Sequence, residues 1–276
     1  MTEKRHGALA RRLLVGLLAA TTFAVPAAAQ SSTTAELINS LNGDLLYVAV
    51  PITILVEAIL LYTVLKFRNA DEAKETKENR RLEITWTVAT AVILLFVGVA
   101  SYGVLANPDV TYTGGEPQPT GDAVEVEAVA FQWGWNMNYP NENISGVTAG
   151  DVDIDAVADA DLSSGTPIIV VPKRQTVYIS TTSEDVIHAL HVPKLGLKQD
   201  SIPGQTNTLQ TTPLETGVYQ GYCAEYCGQA HSQMYFSVVV VEQDTYDQFV
   251  DAQTSSQSSV TAEESASLGA VAAPAA

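Results

Sequence analysis

The sequence predicts a membrane-anchored all-β protein, in which a two-helix transmembrane hairpin precedes an exported Greek-key β-sandwich. Two long apolar segments, the basic loop between them and a later succession of short alternating strands carry that prediction. Residues 45–67 and 84–105 each run to roughly 22 apolar positions, which at about 1.5 Å per residue covers a hydrocarbon core of about 30 Å. Residues 68–83 between them hold five Lys/Arg (Arg68, Lys74, Lys77, Arg80, Arg81), with Lys66 just before. Basic residues in a short loop keep it cytoplasmic, so both outer ends of the hairpin lie outside.

The flanking segments follow from composition. Residues 1–30 have a basic start, an apolar stretch from Leu13 to Val25 and Ala27-Ala-Ala29 before Gln30, the layout of a cleavable signal peptide. Residues 31–44 then form a short external segment. Residues 106–122 are Pro/Gly-rich and read as a linker leaving the membrane. From 123 to 251 alternating apolar residues mark strands at 123–133, 167–171, 176–181, 217–222 and 234–241. Short strands separated by turn residues, without a helical period, indicate a Greek-key sandwich or barrel. The polar, acidic stretch 137–165 reads as an inserted loop, and its Asn143-Ile-Ser145 is a glycosylation sequon if exported. Residues 252–276, rich in Ser, Ala and Gln, read as a disordered tail.

The chain carries a formal charge of −17, and most of it is external: from Ala106 onward there are four basic and twenty-two acidic residues. This excludes nucleic acid as a partner and favours a cationic partner or salt-rich, halophilic surroundings. The spread of acids over the whole domain, rather than in one patch, favours salt.

Only two cysteines occur, both in Cys223-Ala-Glu-Cys-Gly-Gln-Ala-His-Ser-Gln-Met234. Two thiols four apart in an exported domain can form a disulfide. His231 and Met234 on the same loop, and His188 in Asp185-Val-Ile-His, argue instead for a metal. Soft sulfur with imidazole suits copper or zinc, and a thioether in the set favours copper.

Cys-x-Glu-x-Cys-x-x-x-His-x-x-Met, preceded by Asp-Val-x-His and Leu195-Gly-Leu-Lys-Gln-Asp-Ser-Ile-Pro-Gly204, resembles subunit II of the haem-copper cytochrome oxidases. The resemblance covers roughly residues 40–250 and implies a cupredoxin-like sandwich carrying a dinuclear CuA centre of two copper ions. Cys223 and Cys227 would bridge the coppers. His188 and Met234 would complete one, and His231 with the main-chain carbonyl of Glu225 the other. The Glu225 side chain would help bind magnesium at the boundary with subunit I. The pattern asks for no ligand at His191. In Gln132-Trp-Gly-Trp135, Trp133 would receive the incoming electron and Trp135 would pack against the site; Gly134 departs from the aromatic often found between them.

Two carboxylates lie on the apolar segments or at their edge. Glu83, in Glu-x-x-Trp-Thr, stands where the resemblance implies the entrance of a proton pathway into subunit I. Thr90 replaces a frequent proline. Glu57, near the middle of the first segment, reads as hydrogen-bonded to a neighbouring subunit or helix. The resemblance therefore implies an oxidase subunit. It would take electrons from an external cytochrome c or blue-copper protein and pass them to haem in subunit I, where dioxygen is reduced to water with proton pumping. A free-standing membrane-anchored copper carrier and a component of a nitric or nitrous oxide reductase are the alternatives.

Overall fold

The computed structural model describes residues 31–70, 72, 75, 77–112 and 123–256. The expected signal peptide, most of the linker and the last twenty residues lie outside them.

Helix α1 spans Thr33–Phe67 and α2 spans Arg80–Leu105. The external segment expected at 31–44 is therefore helical almost throughout. Ser32 caps α1, its side chain accepting the Ala35 N–H at 3.0 Å with Glu36 in the first turn. Leu37, Leu41, Leu45 and Val48 continue one shielded stripe across the apolar boundary, so nothing in the sequence stops the helix at 45. Its 35 residues make about 52 Å, so the first turns stand above the membrane. There they are stitched to the outer domain. Ser31 Oγ donates to the Lys194 carbonyl, Ser32 Oγ to that of Leu195 (2.7 Å), Thr33 N–H to Thr212 O (3.0 Å) and Leu214 N–H to Ser31 O (2.8 Å). Helix α2 starts four residues before the predicted 84 because Asn79 Oδ1 accepts the Leu82 N–H at 3.2 Å. This brings Glu83 into its first turn.

Among the described residues nine strands follow: β1 (Val124–Phe131), β2 (Gly134–Asn138), β3 (Ile168–Pro172), β4 (Val177–Ser183), β5 (His188–Val192), β6 (Leu197–Ser201), β7 (Asn207–Thr211), β8 (Gly217–Cys223) and β9 (Tyr235–Val241). They form a four-stranded sheet, β2-β1-β4-β7, and a five-stranded sheet, β3-β9-β8-β5-β6. The β1/β4 and β3/β9 pairs are parallel and the rest antiparallel, so the chain crosses between sheets as a Greek key requires. Inward residues such as Val126, Ala128, Ile179, Leu190, Phe236 and Val238 fill the space between them.

Three local expectations are overturned. The strand predicted over 123–133 ends at Phe131, and the chain reverses through Gln132–Trp133 into β2. Glycine permits this tight reversal: a Cβ on Gly134 would meet Phe131 Cζ at 2.6 Å. Segment 137–165 is no free loop, since Met137, Tyr139, Ile144, Val147, Ile154 and Val157 join the core while its five aspartates face outward and Glu142 is half-buried. The Tyr139 hydroxyl donates to Val170 O (2.8 Å) and accepts Val170 N–H (2.6 Å). The described part of the expected disordered tail is helical. Helix α3 (Asp155–Asp159) is a single short turn, and α4 spans 243–256. Tyr246, Phe249, Val250 and Gln253 on α4 meet the core at helical spacing.

Candidate metal centre

The end of β8, the loop after it and the start of β9 bring the predicted ligands together. Cys223 closes β8, its N–H donating to Met234 O at 3.1 Å, and Met234 leads into β9. The intervening loop is held by the β8/β9 ladder on one side and packs Cys223, Cys227 and Met234 into the interior. His188 opens β5, whose Leu190 pairs with Cys223. His188 is fully buried, at 0 % exposure.

The two Sγ atoms stand 3.9 Å apart. The cysteines are free, so the disulfide reading falls. The donor atoms of His188, Cys223 and Cys227 all lie within 4.8 Å of one another. His188 Nδ1 is 3.7 Å from Cys223 Sγ and His231 Nδ1 is 3.5 Å from Cys227 Sγ. Met234 Sδ lies 3.3 Å from Cys227 Sγ, and the Glu225 carbonyl lies 3.2 Å from Cys223 Sγ. Two sulfurs flanked by two imidazoles, a thioether and one carbonyl are thus gathered about a common centre. That donor set fits soft copper.

Burial pushes the Cys227 thiol up to about 12, and the neighbouring Cys223 adds to the shift. An isolated thiolate is disfavoured there, and a cation that displaces the proton restores the balance.

Residues outside the predicted ligand set hold those groups in place. Asp185 Oδ1 accepts from His188 Nε2 at 3.0 Å, which leaves Nδ1 free to face the sulfurs. The same carboxylate accepts the N–H groups of Val186 (2.6 Å) and Gln132 (2.7 Å). Partial burial raises the Asp185 carboxyl, but these hydrogen bonds outweigh it and hold the group below its usual range. Gln132 Nε2 donates to Cys227 O at 2.7 Å and Trp133 Nε1 to the same carbonyl at 3.2 Å. Gly228 below them has φ +121°, and a Cβ there would meet Gln132 Nε2 and Trp133 Cζ2 at 3.2 Å. The Asp-Val-x-His spacing was the available signal for Asp185; nothing local marked Gln132.

The two tryptophans do not share a strand face, although positions i and i+2 of one strand would. Trp133 lies in the turn, 42 % exposed, while Trp135 on β2 is 3 % exposed. The Trp135 ring lies 6.3 Å from that of His188, and its Nε1 donates to Met234 O at 3.4 Å. His191 points to the opposite face of β5 from His188; its Nδ1 donates to Leu197 O at 2.8 Å and its ring contacts Tyr222. The Glu225 carboxylate is exposed, Oε1 accepting the Tyr226 N–H at 3.2 Å. Glu83 lies far along the chain on the first turn of α2, exposed, and is not part of this cluster.

The chain is similar to known proteins over both its helical and its β-sheet parts. Residues 124–243 match the family model described as cytochrome c oxidase subunit II, periplasmic domain, and residues 20–104 match its transmembrane domain. Cytochrome c oxidase subunit 2 of Cereibacter sphaeroides is 34% identical over 238 residues, covering 78% of this chain and 76% of the relative. A probable cytochrome c oxidase subunit 2 from Rickettsia bellii is 31% identical over 226 residues, covering 78% of each chain. Among solved structures, the periplasmic domain of subunit II of cytochrome oxidase from Bradyrhizobium japonicum is 29% identical, with a TM-score of 0.42, covering 50% of this chain and 97% of that domain. A membrane hairpin and a β-sandwich with a Cys-His-Met centre, both matched by the same family, make this chain a member of the cytochrome c oxidase subunit II family.

Proposed function

We propose that the chain is the electron-accepting subunit of a haem-copper terminal oxidase. The convergence of His188 from β5 with Cys223, Cys227, His231, Met234 and the Glu225 carbonyl, from the end of β8 and the loop between β8 and β9, carries this reading. These six groups would hold two copper ions, with both thiolates as bridges. When bound, such a pair supplies a one-electron relay whose charge change is shared between the metals.

The chain's own residues keep that relay rigid. Asp185 fixes the tautomer and orientation of His188, while Gln132 and Trp133 pin the Cys227 carbonyl. Ligands held from outside move little when an electron arrives, which favours rapid transfer. Trp133, half outside and hydrogen-bonded to a ligand's carbonyl, is the electron entry residue. The exposed Glu225 carboxylate offers a hard oxygen ligand for magnesium shared with subunit I. Glu83, at the basic cytoplasmic end of α2, stands at the mouth of the proton pathway.

In this reading the chain sits in the cytoplasmic membrane with its copper domain on the external face, alongside haem-bearing subunit I and other oxidase subunits. Its donor is a cytochrome c or a small blue-copper protein, and its acidic exterior suits salt-rich surroundings. The transmembrane match over residues 20–104 favours an oxidase subunit over a lone copper carrier or a nitric or nitrous oxide reductase component. Purification from native membranes in mild detergent tests this. A haem-bearing membrane subunit should accompany the chain, and the preparation should consume dioxygen with reduced cytochrome c or blue-copper protein. A chain that emerges copper-loaded but without haem would contradict it.

A further inference from the structure

Glu57 is the one acidic or basic side chain between Leu45 and Leu65. It lies about 18 Å along α1 from Leu45 and about 14 Å from Lys66, near the middle of the apolar stretch. A glutamate side chain is too short to reach either interface from that depth, and an unsatisfied carboxyl in hydrocarbon is costly.

Among the described residues, Glu57 has no hydrogen-bond partner on its own chain. The neighbouring hydroxyls are committed within the helix: Thr53 Oγ1 donates to Ala49 O at 2.9 Å and Thr63 Oγ1 to Ile59 O at 2.8 Å. Helix α2 does not cover this half of α1. The half-shielded positions on the apolar stretches are Leu45 and Val48 on α1 and Ile93, Val97, Ala100, Ser101 and Val104 on α2. Residues 49–67 are exposed on every side. The hairpin therefore closes only toward its outer end, and Glu57 lies below that end, exposed.

We propose that Glu57 is the polar anchor of this hairpin: its carboxyl group hydrogen-bonds a polar side chain on a transmembrane helix of another oxidase subunit. Glu57 shares a helix face with Thr53, Ile54, Leu60, Leu61 and Val64, so the partner helix lies along that face and not along the one carrying Ile59. A proton relay would need further titratable groups along the span, and α1 supplies none. The inference rests on the oxidase reading and names where the partner touches.

The test uses the full chain expressed with its complex in native membranes. Glu57→Gln keeps hydrogen bonding and should retain the haem-bearing subunit at the wild-type level. Glu57→Leu should lose most of it on detergent extraction. A photo-crosslinking residue at Leu61, in an otherwise wild-type chain, should capture the membrane partner, whereas one at Ile59 should not. Full retention of the partner by Glu57→Leu, or capture from Ile59 and not Leu61, overturns the anchor and leaves the oxidase reading intact. A wild-type chain extracted without any haem-bearing partner overturns both.

Discussion

Replacing Asp185 with asparagine tests whether the residues around the ligands set the metal site's strength. The carboxylate accepts three close hydrogen bonds at once, from His188 Nε2 (3.0 Å), Val186 N–H (2.6 Å) and Gln132 N–H (2.7 Å), split between Oδ1 and Oδ2. Asparagine keeps the volume but replaces one oxygen with an NH2 group, so at least one donor must face another donor. If the amide oxygen stays with His188 and Val186, Gln132 N–H is abandoned and the turn bearing Trp133 loosens. If it turns the other way, His188 loses the partner that fixes its tautomer. Loss of an outer-shell partner typically weakens metal binding by about 10–100-fold, or roughly 1.4–2.7 kcal/mol. Copper competition titrations on the detergent-solubilised chain at neutral pH should show that loss. The pH profile adds a sign. Because the Asp185 carboxyl is held below its usual range, its stabilisation is fully present above the unfolded value of about 3.9 and is lost as pH falls through the folded one. Asp185→Asn should remove that acid limb. Equal copper affinity and an unchanged acid profile in the variant would refute the orienting role of Asp185.

Three further outcomes follow from packing and burial. Gly134→Ala drives a Cβ to within 2.6 Å of Phe131 Cζ and 3.0 Å of Cε2; it should cost about 1–3 kcal/mol in denaturant unfolding. Phe249→Ala removes a buried ring that packs 5.5 Å from Tyr139. It should cost about 3–5 kcal/mol and expose 243–256 to limited proteolysis. With copper removed, the raised Cys227 thiol makes the folded state hold its proton where the unfolded chain releases it. Stability should thus fall as pH rises from about 8.5 toward 12, and alkylation of Cys227 at pH 8 should be slow.

The candidate cluster was legible in the sequence because four of its five side chains lie within twelve positions, on a loop that two strands close. The membrane hairpin was legible because the bilayer imposes a length on apolar segments. Asp185 and Gln132 were not assigned, since their roles arise only where the 132–133 turn and the 184–187 loop approach Cys227 from other parts of the chain. Strands β6 and β7 escaped notice because Leu-Lys-Gln-Asp-Ser and Asn-Thr-Leu-Gln-Thr bury few apolar side chains. The helix at 243–256 did carry a signal, in Tyr246, Phe249, Val250 and Gln253, masked by the polar residues between them. Segment 137–165 misled because its acids are frequent in sequence while its core residues are irregularly spaced. Gly134 looked like a departure from pattern, yet the Phe131 ring lies where its side chain would go.

In the proposed function Cys223 and Cys227 bridge two coppers. Metal analysis combined with electron paramagnetic resonance on the copper-loaded chain tests it most directly. Two coppers per chain with one unpaired electron shared between them are expected, with loss of that shared signal in both Cys223→Ser and Cys227→Ser. A single copper with a localised signal, or a shared signal surviving in both variants, would contradict it.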